Sequence, residues 1–528
     1  MHAALSSRAS YDPGVAQRLT QARTAPWKGL WASFVSVIIL LLSAGTLMGA
    51  PTSVASSQAG DATSLTYQRK IFRDGSGNFW VFFFDGSHTY YTRSDDTTGA
   101  SWTGIPVLFY TGHVQPCVWF ESDTLYVAFA SANNILVQRG IISGGSITWS
   151  AVYTAFTGDP TTSYTRASVC RDSDGFIWVC GRVEDPTGYY ACASRSSSPN
   201  DISSWQSPDI LSPVSSNGSL YALVVPLNGG DVYAVWNREG WMEGKRYVSG
   251  TGWEAGTTAI ANGFPNLPQR LFSAVSDKDG RVHLLYISDS GRAHYKMYDG
   301  ASWGSEQILS ASLSGYPTLS INPSNQRLYA LWIESRRVEC RSAVLPSSSS
   351  DWSTESTSRE REAKGYLTSG YSSTSRISWL FTEGRRAPYS VMIDGIAVAR
   401  ISVLVSVSSF SFGTQPVDTW LLAQNTQITN DGTCAENIYT QLSQFASGPF
   451  TWAVSDASNG TDVCRAQWST SSDAGPWIDI ASYDSEFLVR SDLGAGNSVT
   501  LYFRIQTPTS TSSFEEYSAD LTVRAEDF

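Results

Sequence analysis

Charge is scarce in this chain, and positive charge most of all. Charged residues make up 16% of its 528 positions, with 36 Lys and Arg against 47 Asp and Glu, for a net charge of −11. An average soluble protein carries about 25%, and an acidic chain repels phosphate backbones, so nucleic acid is excluded as a partner. Histidine is rarer still. His2, His88, His113, His283 and His294 are all there are, too scattered for a zinc site or a Ser/His/Asp triad. His283 alternates with apolar residues, as a packed core histidine does. There is no CxxC or CxxCH, and the glycines sit in hairpin-type turns instead of phosphate-cradling loops ahead of helices, so no cofactor and no metal are expected.

Long apolar runs are also missing after residue 50. Residues 33–50 form the one such run, preceded by Arg8, Arg18, Arg23 and Lys28 with only Asp12 opposing them. That pattern reads as a signal peptide or an N-terminal membrane anchor occupying residues 1–59 with its flanks. Small-residue cleavage sites follow at Gly49-Ala50, Ser53-Ala55 and Ser57-Ala59. Everything from residue 60 is expected to face outward, in a secreted or cell-surface protein that meets the membrane only through such an anchor. Seven cysteines suit that compartment. Cys434 and Cys464 stand alone together in the last region and are the expected disulfide. Cys170, Cys180 and Cys192 on successive strands are read either as one cross-strand bridge plus a thiol or as buried free thiols; Cys117 and Cys340 complete the set.

Aromatics are abundant: 19 Trp, 25 Tyr and 22 Phe. They recur in phase. FWVFFFDG from Phe79, LYVAFAS from Leu125, FIWVCGR from Phe176, DVYAVWN from Asp231, RVHLLYI from Arg281, RLYALWI from Arg327 and RISWLFT from Arg376 repeat at about 50 residues, the span of a four-stranded propeller blade. A second series, Trp102, Trp149, Trp205, Trp253, Trp303 and Trp352, keeps the same phase with separations of 47, 56, 48, 50 and 49 residues. Each follows a Gly, Ser or Asp cluster and should start an outer strand, wedging between neighbouring blades. Only the seventh unit lacks it. The fold class is therefore all-β: a seven-bladed β-propeller (six to eight) over 60–406, followed by an Ig-like β-sandwich over 407–528, where short strands alternate with Asn-Asp-Gly and Ser-Asn-Gly turns.

At the Gly-x-x-Trp turns the sequence resembles the sialidase-like and lectin-like propellers, whose blades carry an Asp-box, Ser-x-Asp-x-Gly-x-x-Trp. Ser94, Asp96, Gly99 and Trp102 approach it with one extra residue, and Asp299, Gly300 and Trp303 keep its last part. The resemblance implies a glycan-related function. In sialidases it further implies an arginine triad for the substrate carboxylate, a Tyr paired with Glu as nucleophile, and an Asp acid/base. The Arg-Ile-Pro segment of that family is missing, since YQRKIFRD has Arg69 but no Pro.

Arg69, Arg166 and Arg270 nonetheless fall at matching places, YQR, YTR and PQR, before the inner strands of the first, third and fifth units. They are expected on the face that carries Glu184, Asp185, Glu239, Asp289, Glu334 and Glu383. Three guanidiniums there would clamp a carboxylate or sulfate; the alternative is ordinary pairing between blades, with the acids forming turns. Tyr164, Tyr221 and Tyr316 keep a nucleophile open. The reading is a secreted or cell-surface, non-catalytic protein binding glycan or another surface component through the propeller, or a structural part of the cell envelope. The alternatives are a sialidase-like glycoside hydrolase and a self-assembling subunit of a surface layer or filament, with contacts through the C-terminal domain.

Overall fold

The computed structural model describes residues 51–264, 271–345, 352–354, 364–373, 376–397, 403–406, 412, 415–432, 436–447, 449–483, 485–513 and 517–527. The apolar run, Arg270 and Cys434 lie outside these residues. Strand is the dominant element, and the described residues form no α-helix, only a 3-10 turn at Asn228–Gly230.

Among the described residues, seven antiparallel meanders follow one another along the chain. The first has its inner strand at Ile71–Arg73, then Phe79–Phe84, Thr89–Arg93 and the outer Val107–Tyr110. Units two to six repeat that order, starting at Cys117–Glu121, Ser163–Arg171, Ala222–Pro226, Phe272–Ser276 and Ser314–Asn322. Second strands such as Phe79–Phe84 and Val282–Ile287 are buried on both faces, which is why they read as continuous apolar runs and not as alternation. Aromatic and aliphatic clusters fill the spaces between successive units, as where Phe72, Trp80 and Phe82 meet Val118, Leu125 and Val127.

The ring is closed by the start of the chain. Unit seven takes Lys364–Ser369, Arg376–Glu383 and Tyr389–Ala397, and its outer strand is Thr52–Ser57, paired antiparallel with Tyr389–Ala397. Val54 from that strand joins Leu380, Val391 and Ile393 of unit seven and Ile71, Phe79 and Val81 of unit one in a single core. Radial meanders whose last member packs on the first make a β-propeller. Two expectations change as a result. The propeller begins at Thr52, ahead of residue 60, and the seventh unit lacks a marker Trp because an N-terminal strand, not a C-terminal one, forms its rim.

The marker tryptophans reach back to the unit before them. Trp149 Nε1 donates to Tyr91 (3.4 Å), Trp253 to Asp209 (3.2 Å), Trp303 to Tyr233 (2.9 Å) and Trp352 to Gln307 (2.8 Å). Trp102 and Trp205 instead donate to carbonyls three residues back, Gly99 and Ile202, both at 2.8 Å. In the Asp-box-like turn, Asp96 Oδ1 accepts the backbone N–H groups of Thr98, Gly99 and Ala100, so its work is to hold the turn.

A second turn device escaped the sequence reading. Asp74 Oδ1 accepts from Ser76 and Asn78 N–H, and its Oδ2 takes Trp80 Nε1 at 2.9 Å. Asp172 repeats this with Trp178 at 2.7 Å, and Asp277 Oδ2 lies 3.2 Å from His283 Nε2. The shared spelling is Asp-x-x-Gly-x-x-Trp/His, with Gly77, Gly175 and Gly280 at positive φ. His283, fully buried, stands where units one and three have a tryptophan.

The C-terminal region has two sheets around one core. The larger joins Val403–Val405, Gln424–Asn430, Ser498–Gln506, Val463–Ser469, Phe450–Val454 and Phe445–Ser447; the smaller joins Glu486–Leu493, Glu436–Leu442 and Leu521–Asp527. Ile428, Leu501, Phe503 and Ala466 of the first meet Ile438, Val489 and Leu493 of the second. Cys464 is a buried free thiol that donates to Ala453 O at 3.4 Å, which replaces the disulfide expected with Cys434. Cys117, Cys170, Cys180 and Cys192 are buried free thiols as well. Cys192 sits opposite Gly181, not opposite Cys180, so the strand register separates the two sulfurs, and burial raises all four thiols above their ordinary range.

Candidate functional site

The axis of the ring is filled by the chain itself. After the closing strand, residues 62–70 run down the centre, and every one of them is buried. Thr63 Oγ1 donates to Tyr366 O of unit seven, Tyr67 OH to Arg166 O of unit three, and Gln68 Nε2 to Gln115 O and Ala167 O of units two and three. Leu65 and Tyr67 pack with Tyr221, Leu223, Phe272 and Tyr286 of units four and five.

Arg69 is part of this plug. Its Nη1 donates to Leu319 O (2.6 Å), Thr318 Oγ1 (3.1 Å) and Ser369 Oγ (3.2 Å), and its Nη2 to Ala274 O (2.8 Å). One guanidinium thus ties units five, six and seven together, with Tyr371 beneath it at 5.6 Å. Burial lowers its pKa to about 10. It offers no surface to an anion, which corrects its expected place in a binding triad.

The reason is register. Phe72 pairs with Trp80, and Cys170 pairs with Trp178 at the same place in unit three. Arg69, three residues before Phe72, therefore matches Ala167, while Arg166 matches Gln68. A one-residue offset sends the side chains to opposite sides. Arg166 also sits on a bulge, where the pairing shifts between Thr165 and Ser168, and its φ is 62°. Units six and seven carry the same bulge at Tyr316 (φ 53°) and Tyr366 (φ 54°). Bulky residues at positive φ are strained, and such strain gathers at functional sites.

Around Arg166 the inner-strand starts form a mouth rich in arginine and tyrosine. Its Nη1 donates to Gly218 O and Leu220 O, both at 2.7 Å, and the guanidinium lies 4.0 Å over the Tyr221 ring. Arg182 also donates to Gly218 O, takes Thr165 Oγ1 at 3.1 Å and lies 4.9 Å over Tyr189. Burial and the adjacent Arg166 lower its pKa. Among the described residues, the carboxylate paired with Arg182 is Glu184, 3.4 Å away and 44% exposed. Tyr316 and Tyr366 stand 5.1 Å apart, Tyr316 pushed by burial up to about 12 and Tyr366 raised by burial and by Asp61. Tyr164 is likewise raised by burial, so none of these three phenols is held near an anionic state.

The other expected acids pin loops. Glu239 Oε1 accepts Ser216 N–H and Glu334 Oε1 accepts Ser312 N–H, each at 3.0 Å and each just before an inner strand. Asp185 caps Thr187 and Gly188, Asp289 N–H donates to Gly263 O, and Glu383 pairs with Lys364 at 3.1 Å. Arg182, Tyr189 and Gly218 were not singled out from sequence, although the Tyr-Tyr pair at 189–190 was a signal. On the opposite ends of the strands, a cleft of 330 Å³ between units one and two is lined by Asp74, Arg93, Asp123 and Gly145. Two of the Arg93 nitrogens are turned to Asn78 and Asp74, at 2.7 and 3.4 Å.

No protein-family model and no curated protein matches this chain. Among solved structures it is similar to the polysaccharide lyase Uly1, at 11% identity over 65% of this chain and 92% of that one, with a TM-score of 0.43. It is similar also to the NanB sialidase of Streptococcus pneumoniae (12% identity, 68% and 72% of the two chains, TM-score 0.39). A third is the six-bladed Aleuria aurantia lectin (13%, 53% and 93%, TM-score 0.36).

The plug makes one prediction of its own. Lys70 is wholly buried, its Nζ donating to Gln68 Oε1 (3.0 Å) and Pro116 O (2.9 Å), and burial lowers its pKa to about 7. Between pH 7 and 10.5 the unfolded chain keeps a proton there that the folded chain has shed, so stability rises with pH across that window and is lowest at and below pH 7. Lys70→Met should flatten that slope. At pH 7 it should stabilise by about 2 kcal/mol, a penalty of roughly 4 kcal/mol removed against two hydrogen bonds lost. Melting curves at pH 7 and 10 decide it; an unchanged slope in the variant refutes the assignment.

Proposed function

We propose that the protein is a glycan-binding β-propeller of seven blades with a C-terminal β-sandwich, displayed outside the cell. The ligand carries an anionic group, and it is held at the mouth around Arg166. The observation that carries this reading is the Arg166–Arg182 pair, two guanidiniums hung on the single carbonyl of Gly218 in a protein of net charge −11. Arg166 keeps Nε and Nη2 for a ligand, and a planar fork suits carboxylate or sulfate. Tyr189, under Arg182, and Tyr366, on the seventh inner strand beside Tyr316, are half-buried and supply ring faces of the kind that saccharide C–H surfaces pack on. The raised Tyr164, Tyr316 and Tyr366 favour binding over a tyrosine nucleophile at this mouth.

Outward display rests on the N-terminal apolar run, and the closing strand limits how that run is removed. Cuts after Ala55 or Ala59 would take away most or all of Thr52–Ser57, so cleavage, where it occurs, falls before Thr52.

A glycan array probed with the full chain tests the binding reading. Sulfated or uronate-bearing glycans should bind, and Arg166→Ala should weaken them at least about 10-fold, the share of one charge-assisted hydrogen bond. Binding that is equally strong in a folded Arg166→Ala protein would move the site elsewhere.

A further inference from the structure

Unit five holds a cluster that neither the repeat nor the mouth uses. Ser288 and Ser290 lie in the turn after Val282–Ile287, His294 near the start of Ala293–Tyr298, and Glu306 just ahead of Gln307–Ile308. Ser288 Oγ is 3.0 Å from His294 Nε2, and His294 Nδ1 is 3.1 Å from Glu306 Oε2. The other Glu306 oxygen, Oε1, accepts from Tyr286 OH, and Ser290 Oγ lies 2.6 Å from Ser288 Oγ. Serines and histidine are thus arranged in the order nucleophile, base, acid, with the carboxylate held from its far side. Sequence reading missed this because the three residues are spread over a turn and two strands, and pairing of Tyr286 with His294 and of His294 with Ile308 brings them together.

We propose that Ser288, His294 and Glu306 form an acyl-transfer site that cleaves small carboxylic esters. In the first step Ser288 Oγ bonds to the ester carbonyl carbon while its proton passes to His294 Nε2. The carbon–oxygen bond to the alcohol then breaks, and that proton leaves with the alkoxide. Water, deprotonated by the same imidazole, attacks the acyl-serine, releasing the acid and restoring the Ser288 hydroxyl. Glu306 Oε2 stands 3.1 Å from Nδ1 but no hydrogen bond joins them as the side chains lie here; for Glu306 to orient the ring, that alignment must tighten when substrate is bound. Ser288 and His294 are each 6% exposed, so the acyl group must be short, an acetyl ester being the class that fits. Ser290, exposed at the rim, shares a hydrogen bond with Ser288 Oγ, and in the reactive arrangement it is the donor, so that the Ser288 hydroxyl proton is directed at His294 Nε2.

The test uses the full-length protein, a fluorophosphonate probe and p-nitrophenyl acetate. Mass mapping should find the probe on Ser288, and Ser288→Ala should cut ester turnover about 100-fold, the usual share of such chemistry. His294→Gln should abolish labelling. Glu306 is 42% exposed at its side chain, so Glu306→Gln is the control that folds if the histidine variant does not; it should slow labelling about 10-fold with an unchanged melting temperature. Labelling that is absent, that falls on Ser290 or scattered serines, or that persists unchanged in both folded variants overturns the proposal. So does wild-type turnover by Ser288→Ala.

Discussion

An Arg69→Met protein is expected to be about 4 kcal/mol less stable than its parent, with a melting temperature lowered to match. The side chain is buried at the axis and gives four hydrogen bonds to three units. Removing it takes away the Arg69 bond to Ala274 O, at about 1 to 3 kcal/mol, leaves Leu319 O with the Ser369 hydroxyl as its side-chain donor, and opens a space where a guanidinium was packed over Tyr371. Met fills part of that space and relieves the cost of burying a charge, which keeps the loss from being larger. Arg69→Lys should lose nearly as much, because a single ammonium cannot reach Ala274 O and Leu319 O together. Calorimetry of both variants decides the matter. A loss under about 1 kcal/mol in either would mean that the three units are held by their apolar faces alone.

The second large effect lies in the closing strand. A chain beginning at Gln58 should lose about as much stability as the Arg69 variant and should also self-associate, whereas one beginning at Pro51 should match the full protein. Thr52–Ser57 makes five residue pairs with Tyr389–Ala397 and puts Val54 into the core shared by the seventh and first units. Without it, Tyr389–Ala397 becomes a bare edge with unpaired N–H and C=O groups, a template for strand addition. Light scattering and melting curves on the two truncated chains separate the outcomes. Equal melting temperatures and no association would show that the strand decorates the ring without closing it. The narrower change Val54→Asp, which places a carboxylate against Ile71 and Leu380, should cost about 3 kcal/mol without altering chain length.

How much of this was legible follows from what each feature depends on. The repeat was readable because Trp80, Trp178, Trp236, Trp332 and Trp379 are fully buried anchors on strands covered on both faces, and burial writes itself into sequence as aromatic runs. The marker Trp series was readable from its spacing and the turn clusters ahead of it, since all but Trp352 are only partly buried. The closing strand was not: TSVASS is small and polar, with only Val54 and Ser57 buried, and nothing local tells such a segment that its partner lies at the other end of the domain. The arginines were noticed, but their convergence was inferred from matching tripeptides. A bulge at Arg166 and a one-residue offset at Arg69 are backbone events decided by neighbouring units, and YQR and YTR spell them alike. The acids were correctly placed at second-strand ends, while their partners Ser216 and Ser312 are loop residues with no pattern of their own. The Cys434–Cys464 pairing rested on isolation in sequence, which says nothing about the distance between sulfurs.

The plug and the closing strand also set an order of events on the ribosome. Thr63 bonds to a residue 303 positions later, and Gln68 O to Thr368, 300 positions later. The segment that completes the ring is made first and must wait, unpaired, until nearly the whole propeller has been synthesised. Repeat proteins that stack in a line can fold as they emerge; this one holds its first-made piece in reserve for its last. Its folding is therefore dominated by contacts distant in sequence and should be slow, and any product of interrupted synthesis displays an open rim and a plug segment without the units that enclose it. A cell making this protein needs to shield the nascent chain until the seventh unit arrives.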